Sequence, residues 1–201
     1  RYKYDLCIIS IWRPMKYKEH SEYQANYQNL WNTFDILNLY IQRYSKSRNL
    51  KLCIAMHSPE NALNDEDLQK IENEESYWKN IFHDDAILNP LNISKLSSYK
   101  VMFESELIVG VASTLLLEAF GMGKKILYCD FTSNNIFHDY NSSILFREND
   151  YHKFANRLDD LRSEPYGQYL KKNKKYASYL MNNDLDNPPH LAIRKLVQDI
   201  L

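Results

Sequence analysis

The chain has 201 residues, of which 44% are hydrophobic and 25% charged, with a formal net charge of -1. That length corresponds to about one domain and is enough to bury a continuous core. The balance of charge and apolar content excludes a disordered chain and one that coats nucleic acid through bulk charge, so no nucleic-acid partner is expected and partners must be read from sites.

The first element is YDLCIISIW, Tyr4 to Trp12, a short apolar run with β-branched residues that ends at Arg13-Pro14 and reads as a buried strand. From Tyr23 to Tyr44, apolar residues at Leu30, Phe34, Leu37 and Ile41 follow the 3- and 4-residue spacing of an amphipathic helix. LKLCIAMH, Leu50 to His57, predicts a second strand stopped by Ser58-Pro59, and Asp65 to Phe82 a polar, exposed helix. DDAILNP, Asp84 to Pro90, predicts a third strand, and Leu96 to Glu106 a helix. LIVGVA, Leu107 to Ala112, predicts a fourth strand, Ser113 to Met122 a helix, and KKILYCD, Lys124 to Asp130, a fifth strand.

Further along, SSILF, Ser142 to Phe146, fits a short edge strand, and helices are expected over Tyr151 to Leu161, Gly167 to Met181 and Pro189 to Leu201. Asn182 to Pro189 reads as a linker, because it has no apolar face and its prolines start a new element. Strands and helices in this alternation predict an α/β fold: a Rossmann-like, mainly parallel sheet flanked by helices, with helices at the C-terminal end. One domain is expected over 1–201, with a core at 1–146 and a C-terminal helical segment at 147–201. The start at Arg1 rather than methionine suggests a fragment.

Cys7, Cys53 and Cys129 are odd in number, lack metal-ligand spacing and fall in apolar runs. Buried free thiols and a cytosolic compartment are the expectation. No apolar run reaches the roughly 18 residues that would span a bilayer, and the start carries no signal-peptide pattern.

In open parallel sheets, ligands bind beyond the carboxyl ends of the strands. Those ends carry Ser10, Trp12 and Arg13, then His57 and Ser58, then Asn89 and Pro90, and finally Ala112, Ser113 and Thr114. Ser113 lies between a strand and a helix and is an N-cap candidate, and a helix N-terminus is a ready anion site. A phosphate fits there. Glu118 lies four residues after Thr114 on the same helical face, within an otherwise apolar helix. A carboxylate in such a setting needs a partner, and either a salt bridge to a nearby lysine or arginine or a pair of ribose hydroxyls would serve. KKNKK, Lys171 to Lys175, reads as a solvated helix face, with an anionic membrane surface or an anionic glycan as the sharper alternative.

VASTLLLEAFGMGKKILYCD, Val111 to Asp130, resembles the donor-binding segment in the C-terminal Rossmann-like domain of GT-B glycosyltransferases, closest to bacterial surface-carbohydrate biosynthesis proteins. The resemblance extends over residues 1–150 as element order and is specific over Ser105 to Asp130. It implies Ser113 and Thr114 on donor phosphate and Glu118 on ribose, and a separate N-terminal domain that binds the acceptor and often carries the base. Arg13 and His57 are further candidates for the donor. Asn89-Pro90 sits where bacterial sialyltransferases carry a His-Pro motif, so Asn89 joins the candidate set even though it departs from that motif. Ser97, Ser98 and Tyr99 are expected to precede the helix before strand four, near where the family's base approaches.

The implied activity is sugar transfer from a nucleotide-sugar donor to a surface glycan acceptor, at the cytoplasmic side and in possible contact with the inner membrane face. The resemblance implies neither a metal nor a cofactor and identifies no catalytic base. A nucleotide-sugar epimerase, a polyol-phosphate transferase and a non-catalytic nucleotide-binding domain are the alternatives, because a fold does not choose among them.

Overall fold

The computed structural model describes residues 2–12, 24–92, 95–131 and 143–180. Six strands form one sheet in the order β3-β2-β1-β4-β5-β6, and every neighbouring pair is parallel. They are β1 (Tyr4–Ile9), β2 (Leu52–Pro59), β3 (Ala86–Leu91), β4 (Ser105–Gly110), β5 (Lys125–Cys129) and β6 (Leu145–Phe146). The helices are α1 (Gln24–Arg48), α2 (Asp65–Phe82), α3 (Ser97–Glu104), α4 (Thr114–Gly121), α5 (Tyr151–Ser163) and α6 (Tyr166–Leu180). The sequence-based elements up to residue 180 thus all form, with ends shifted by a few residues. The linker at 182–189 and the helix at 189–201 lie outside the described residues.

The central strands read as nearly continuous apolar runs because helices cover both of their faces. Leu6, Cys7, Ile8, Leu107, Ile108 and Val109 are all fully buried. On one face α1 packs against α2 and α5, and on the other α3 lies over the strands while α4 packs against α6. Helix α1 buries Phe34, Leu37, Ile41 and Tyr44, the stripe its spacing predicts. All three cysteines are buried free thiols.

Two expectations are corrected. Helix α2 keeps its predicted bounds but is not an exposed helix: Glu74, Trp78 and Phe82 are buried, at a spacing of four that turns one face to the core. Ser97, Ser98 and Tyr99 do not precede α3 but form its first turn. The KKNKK run behaves as a solvated face at its lysines, which are exposed, whereas Asn173 is buried and donates to the Tyr169 carbonyl at 2.9 Å.

At the amino-terminal edge of the sheet, two adjacent lysines are buried. Lys124 Nζ donates to the carbonyls of Ser105 at 2.7 Å and Phe103 at 3.3 Å, at the end of α3. Lys125 Nζ donates to the carbonyls of Leu161 at 2.7 Å and Glu164 at 2.5 Å, at the end of α5. Each cation therefore serves a helix C-terminus, where unpaired carbonyls and the negative end of the dipole favour it. Burial lowers the pKa of both.

Candidate functional site

The strand order reverses direction between β1 and β4, which opens the crevice where ligands of such sheets bind. One wall is Ser10 to Trp12 after β1, and the other is Val111 to Thr114 after β4. The two strands meet closely at this point, since a Cβ built on Gly110 would lie 3.5 Å from Ile9 Cβ and 3.5 Å from Leu116 Cδ2.

The turn from β4 to α4 carries backbone strain. Ala112 has φ 41°, in the left-handed region that residues with a Cβ seldom occupy. Ser113 occupies the predicted N-cap position in extended conformation, but its side chain makes no cap hydrogen bond. Thr114, the first helical residue, is exposed. Leu116 N–H bonds the Ser113 carbonyl at 3.2 Å, so the earlier N–H groups of α4 remain without intrahelical partners. Such a terminus suits an anion.

One turn along α4, Glu118 is half-buried. Its Oε2 accepts the hydroxyl of Tyr99, and among the described residues this is the carboxylate's hydrogen-bond partner. Among the described residues, no lysine or arginine forms the salt bridge that was the other alternative. Tyr99 is held in turn by the first turn of α3: Ser97 Oγ donates to the Pro90 carbonyl at 2.9 Å and accepts from Asn92 N–H at 2.7 Å. The Tyr99 phenol has a raised pKa, first because Glu118 accepts its proton and then because of burial.

A second carboxylate lies at the carboxyl ends of β1 and β2. Glu74 is 0% exposed, and four neutral donors converge on it. Ser10 Oγ donates at 2.5 Å, Ser58 N–H at 2.7 Å, His57 N–H at 3.1 Å and Trp78 Nε1 at 3.2 Å. Ser10 Oγ also accepts Trp12 N–H at 3.1 Å. Glu74 thus fixes the loop after β1 and the irregular end of β2, where pairing with β3 shifts register between Ala55 and Pro59. The sequence reading missed this residue. Its signal is the series Ile71, Glu74, Trp78 and Phe82, in which the carboxylate stands in a slot of an apolar stripe.

The remaining candidates do not gather at one point. His57 has an exposed side chain and contributes its main-chain N–H to Glu74. Asn89 pairs with Ala55, which pairs with Ile9, so Asn89 stands three strands from β4. At one strand spacing each, that is about 14 Å, too far for Asn89 and Ser113 to share one phosphate. Asn89 Nδ2 is buried without a hydrogen-bond partner among the described residues. Arg13 lies outside the described residues. Ser113, Thr114, Glu118 and Tyr99 are the candidates that the fold groups around α4.

An all-parallel sheet in this order, with an open helix terminus at its switch point, defines a Rossmann-like α/β domain. The chain belongs to the family described as "putative O-antigen biosynthesis protein", whose model matches residues 3–193. No curated protein matches it. Among solved structures it is similar to UDP-GlcNAc 2-epimerase from Neisseria meningitidis bound to UDP-GlcNAc, at 14% identity and a TM-score of 0.49, covering 99% of this chain and 44% of that one. It is also similar to sucrose-phosphate synthase from Thermosynechococcus elongatus, at 14% identity and a TM-score of 0.49, covering 98% of this chain and 46% of that one. The chain therefore spans less than half the length of either protein. Among the described residues, no helix is long and apolar enough to cross a membrane.

Proposed function

We propose that the chain is the nucleotide-sugar-binding half of a GT-B glycosyltransferase that builds a surface polysaccharide. The observation that carries this reading is the pairing, on one short helix at the switch point, of an uncapped N-terminus at Ser113 and Thr114 with a half-buried carboxylate at Glu118. Membership of an O-antigen biosynthesis family supports the glycan side of the reading.

In this reading the donor's phosphates sit against the first N–H groups of α4, and its ribose hydroxyls donate to Glu118. The bond between the sugar's anomeric carbon and the phosphate oxygen breaks, and a new bond forms from that carbon to an acceptor hydroxyl. The nucleotide leaves with the electron pair, and its growing negative charge is met by the helix terminus. The acceptor's proton passes to a base in a facing domain, which also binds the glycan. Arg13 is the further candidate for the leaving phosphate. Transfer on the cytoplasmic side, close to the membrane, belongs to the same reading.

Calorimetric titration with UDP, GDP, CMP and CDP tests it. Selective binding of one nucleotide is expected, and heat-silent mixing with all four, repeated by a second binding method, would overturn the assignment.

A further inference from the structure

The Tyr99 to Glu118 hydrogen bond crosses from α3 to α4, and both of its ends are built into the fold. Tyr99 stands on the first turn of α3, which Ser97 ties to the end of β3 through Pro90 and Asn92. Glu118 stands one turn from the anion-suited terminus of α4. Both side chains are half-buried, so the bond is neither a solvated surface contact nor a sealed core contact.

A carboxylate on a flexible three-torsion side chain would ordinarily sample several rotamers at such a depth. A phenol donor from a neighbouring helix selects one of them. It consumes one of about four lone-pair sites and leaves the rest for another donor. A ligand hydroxyl meeting Glu118 then finds its acceptor already oriented, and less ordering remains to be done on binding.

We infer that Tyr99 is the positioning residue for ribose recognition: it holds the Glu118 carboxylate in the orientation that accepts the ribose hydroxyls of the donor nucleotide. This inference rests on the nucleotide-sugar reading above. It assigns to α3 a role in selecting ribonucleotides, although Tyr99 itself need not touch the ligand.

The test uses whichever nucleotide the wild-type chain binds, together with its 2′,3′-dideoxy counterpart. Tyr99→Phe is expected to weaken the ribonucleotide by about three- to tenfold, the range for loss of one supporting hydrogen bond. It should leave binding of the dideoxy nucleotide unchanged, because that ligand lacks the hydroxyls Glu118 accepts. In a Glu118→Ala background, Tyr99→Phe should have no further effect, which closes a double-mutant cycle.

Equal weakening of both nucleotides would make Tyr99 a general structural support and overturn the inference. So would unchanged ribonucleotide affinity, or a full Tyr99→Phe effect that persists without Glu118. The dideoxy comparison needs only a folded variant, and circular dichroism with a thermal melt establishes that. If Tyr99→Phe does not fold, the cycle is run with Tyr99→Leu, which also removes the donor with a smaller apolar side chain, and the same outcomes decide. Absence of binding by the wild type to any nucleotide overturns the nucleotide reading itself and the inference with it, and is thereby told apart from failure of the Tyr99 role alone.

Discussion

Ser10 Oγ donates to Glu74 Oε1 at 2.5 Å, joining two residues 64 positions apart in sequence. Among the described residues the carboxylate has no cation beside it, and its partners are neutral donors at the ends of β1 and β2 and on its own helix. Truncation would leave those buried donors without an acceptor, at about 1–3 kcal/mol for each group that finds no replacement. Glu74→Ala is therefore expected to lower stability by more than about 3 kcal/mol in urea denaturation, and Glu74→Gln, which keeps the volume but sets an NH2 among donors, by about 1–3 kcal/mol. A midpoint shift worth less than about 1 kcal/mol for the alanine variant would remove Glu74 from this role.

Glu118 is expected to behave differently, since it is half-buried and has one hydrogen-bond partner among the described residues. Glu118→Ala should change thermal stability little yet weaken the bound nucleotide by about 1–3 kcal/mol, the range for lost hydrogen bonds to a charged group. Isothermal titration of the variant checks this, and an unchanged affinity would remove Glu118 from the site.

Two left-handed positions should respond with opposite signs. Ala112, at φ 41°, carries a Cβ where glycine would be relaxed, so Ala112→Gly should be neutral or stabilising by up to about 1 kcal/mol. Gly123, at φ 82°, has no such reserve, because an added Cβ would meet Leu170 Cδ2 at 3.0 Å and Tyr166 Oη at 3.4 Å. Gly123→Ala should cost about 1–3 kcal/mol. Paired thermal melts of the two variants give the comparison, and destabilisation by both would contradict the strain argument at Ala112.

Stability should fall at alkaline pH. Burial raises the thiol of Cys53 to about 12 from an ordinary 9.0, and raises Cys7 and Cys129 as well. Burial and the bond to Asp159 raise Tyr44 to about 12 from 10.0, and burial raises Tyr77 and Tyr169. For groups whose folded pKa lies above the unfolded value, the stabilisation is complete below the unfolded value and is lost as pH rises beyond it. The window thus opens near pH 9 with the thiols and deepens near pH 10 with the phenols. Each proton released only on unfolding contributes a slope of about 1.4 kcal/mol per pH unit. Lys124 and Lys125 act in the opposite direction, since their lowered values make stability grow as pH approaches 10.5, but they are two groups against six. Urea midpoints measured from pH 7 to 10.5 should decline above pH 9, and a flat profile would refute this.

Much of the architecture was readable because it depends on local pattern. The short β-branched runs, the stripe of Phe34, Leu37 and Ile41, and the Gly123 break that ends α4 each announce their element within a few residues. Ser113 as an N-cap and Glu118 as a partnered carboxylate followed from spacing alone. What stayed hidden was pairing between distant segments. Nothing near Glu74 says that the ends of β1 and β2 will turn their donors toward it, so a helix rich in charge passed for a solvated one. Nothing near Tyr99 says that α3 will stand beside α4. For Asn89 too, the distance from Ser113 follows from strand order, which sets three spacings between β3 and β4 and is not written in the local sequence.

Lys124 and Lys125 are consecutive at the entry to β5, yet they grip helices on opposite faces of the sheet. A single dipeptide therefore clamps both outer layers to the base of the molecule, far from the rim where Ala112 and the shifted end of β2 depart from regular geometry. Anchored from below, the layers draw on the upper rim chiefly where Glu74 ties α2 to the ends of β1 and β2. Sequence change at the turn from β4 to α4 can therefore reshape that part of the rim while the scaffold beneath it stays intact.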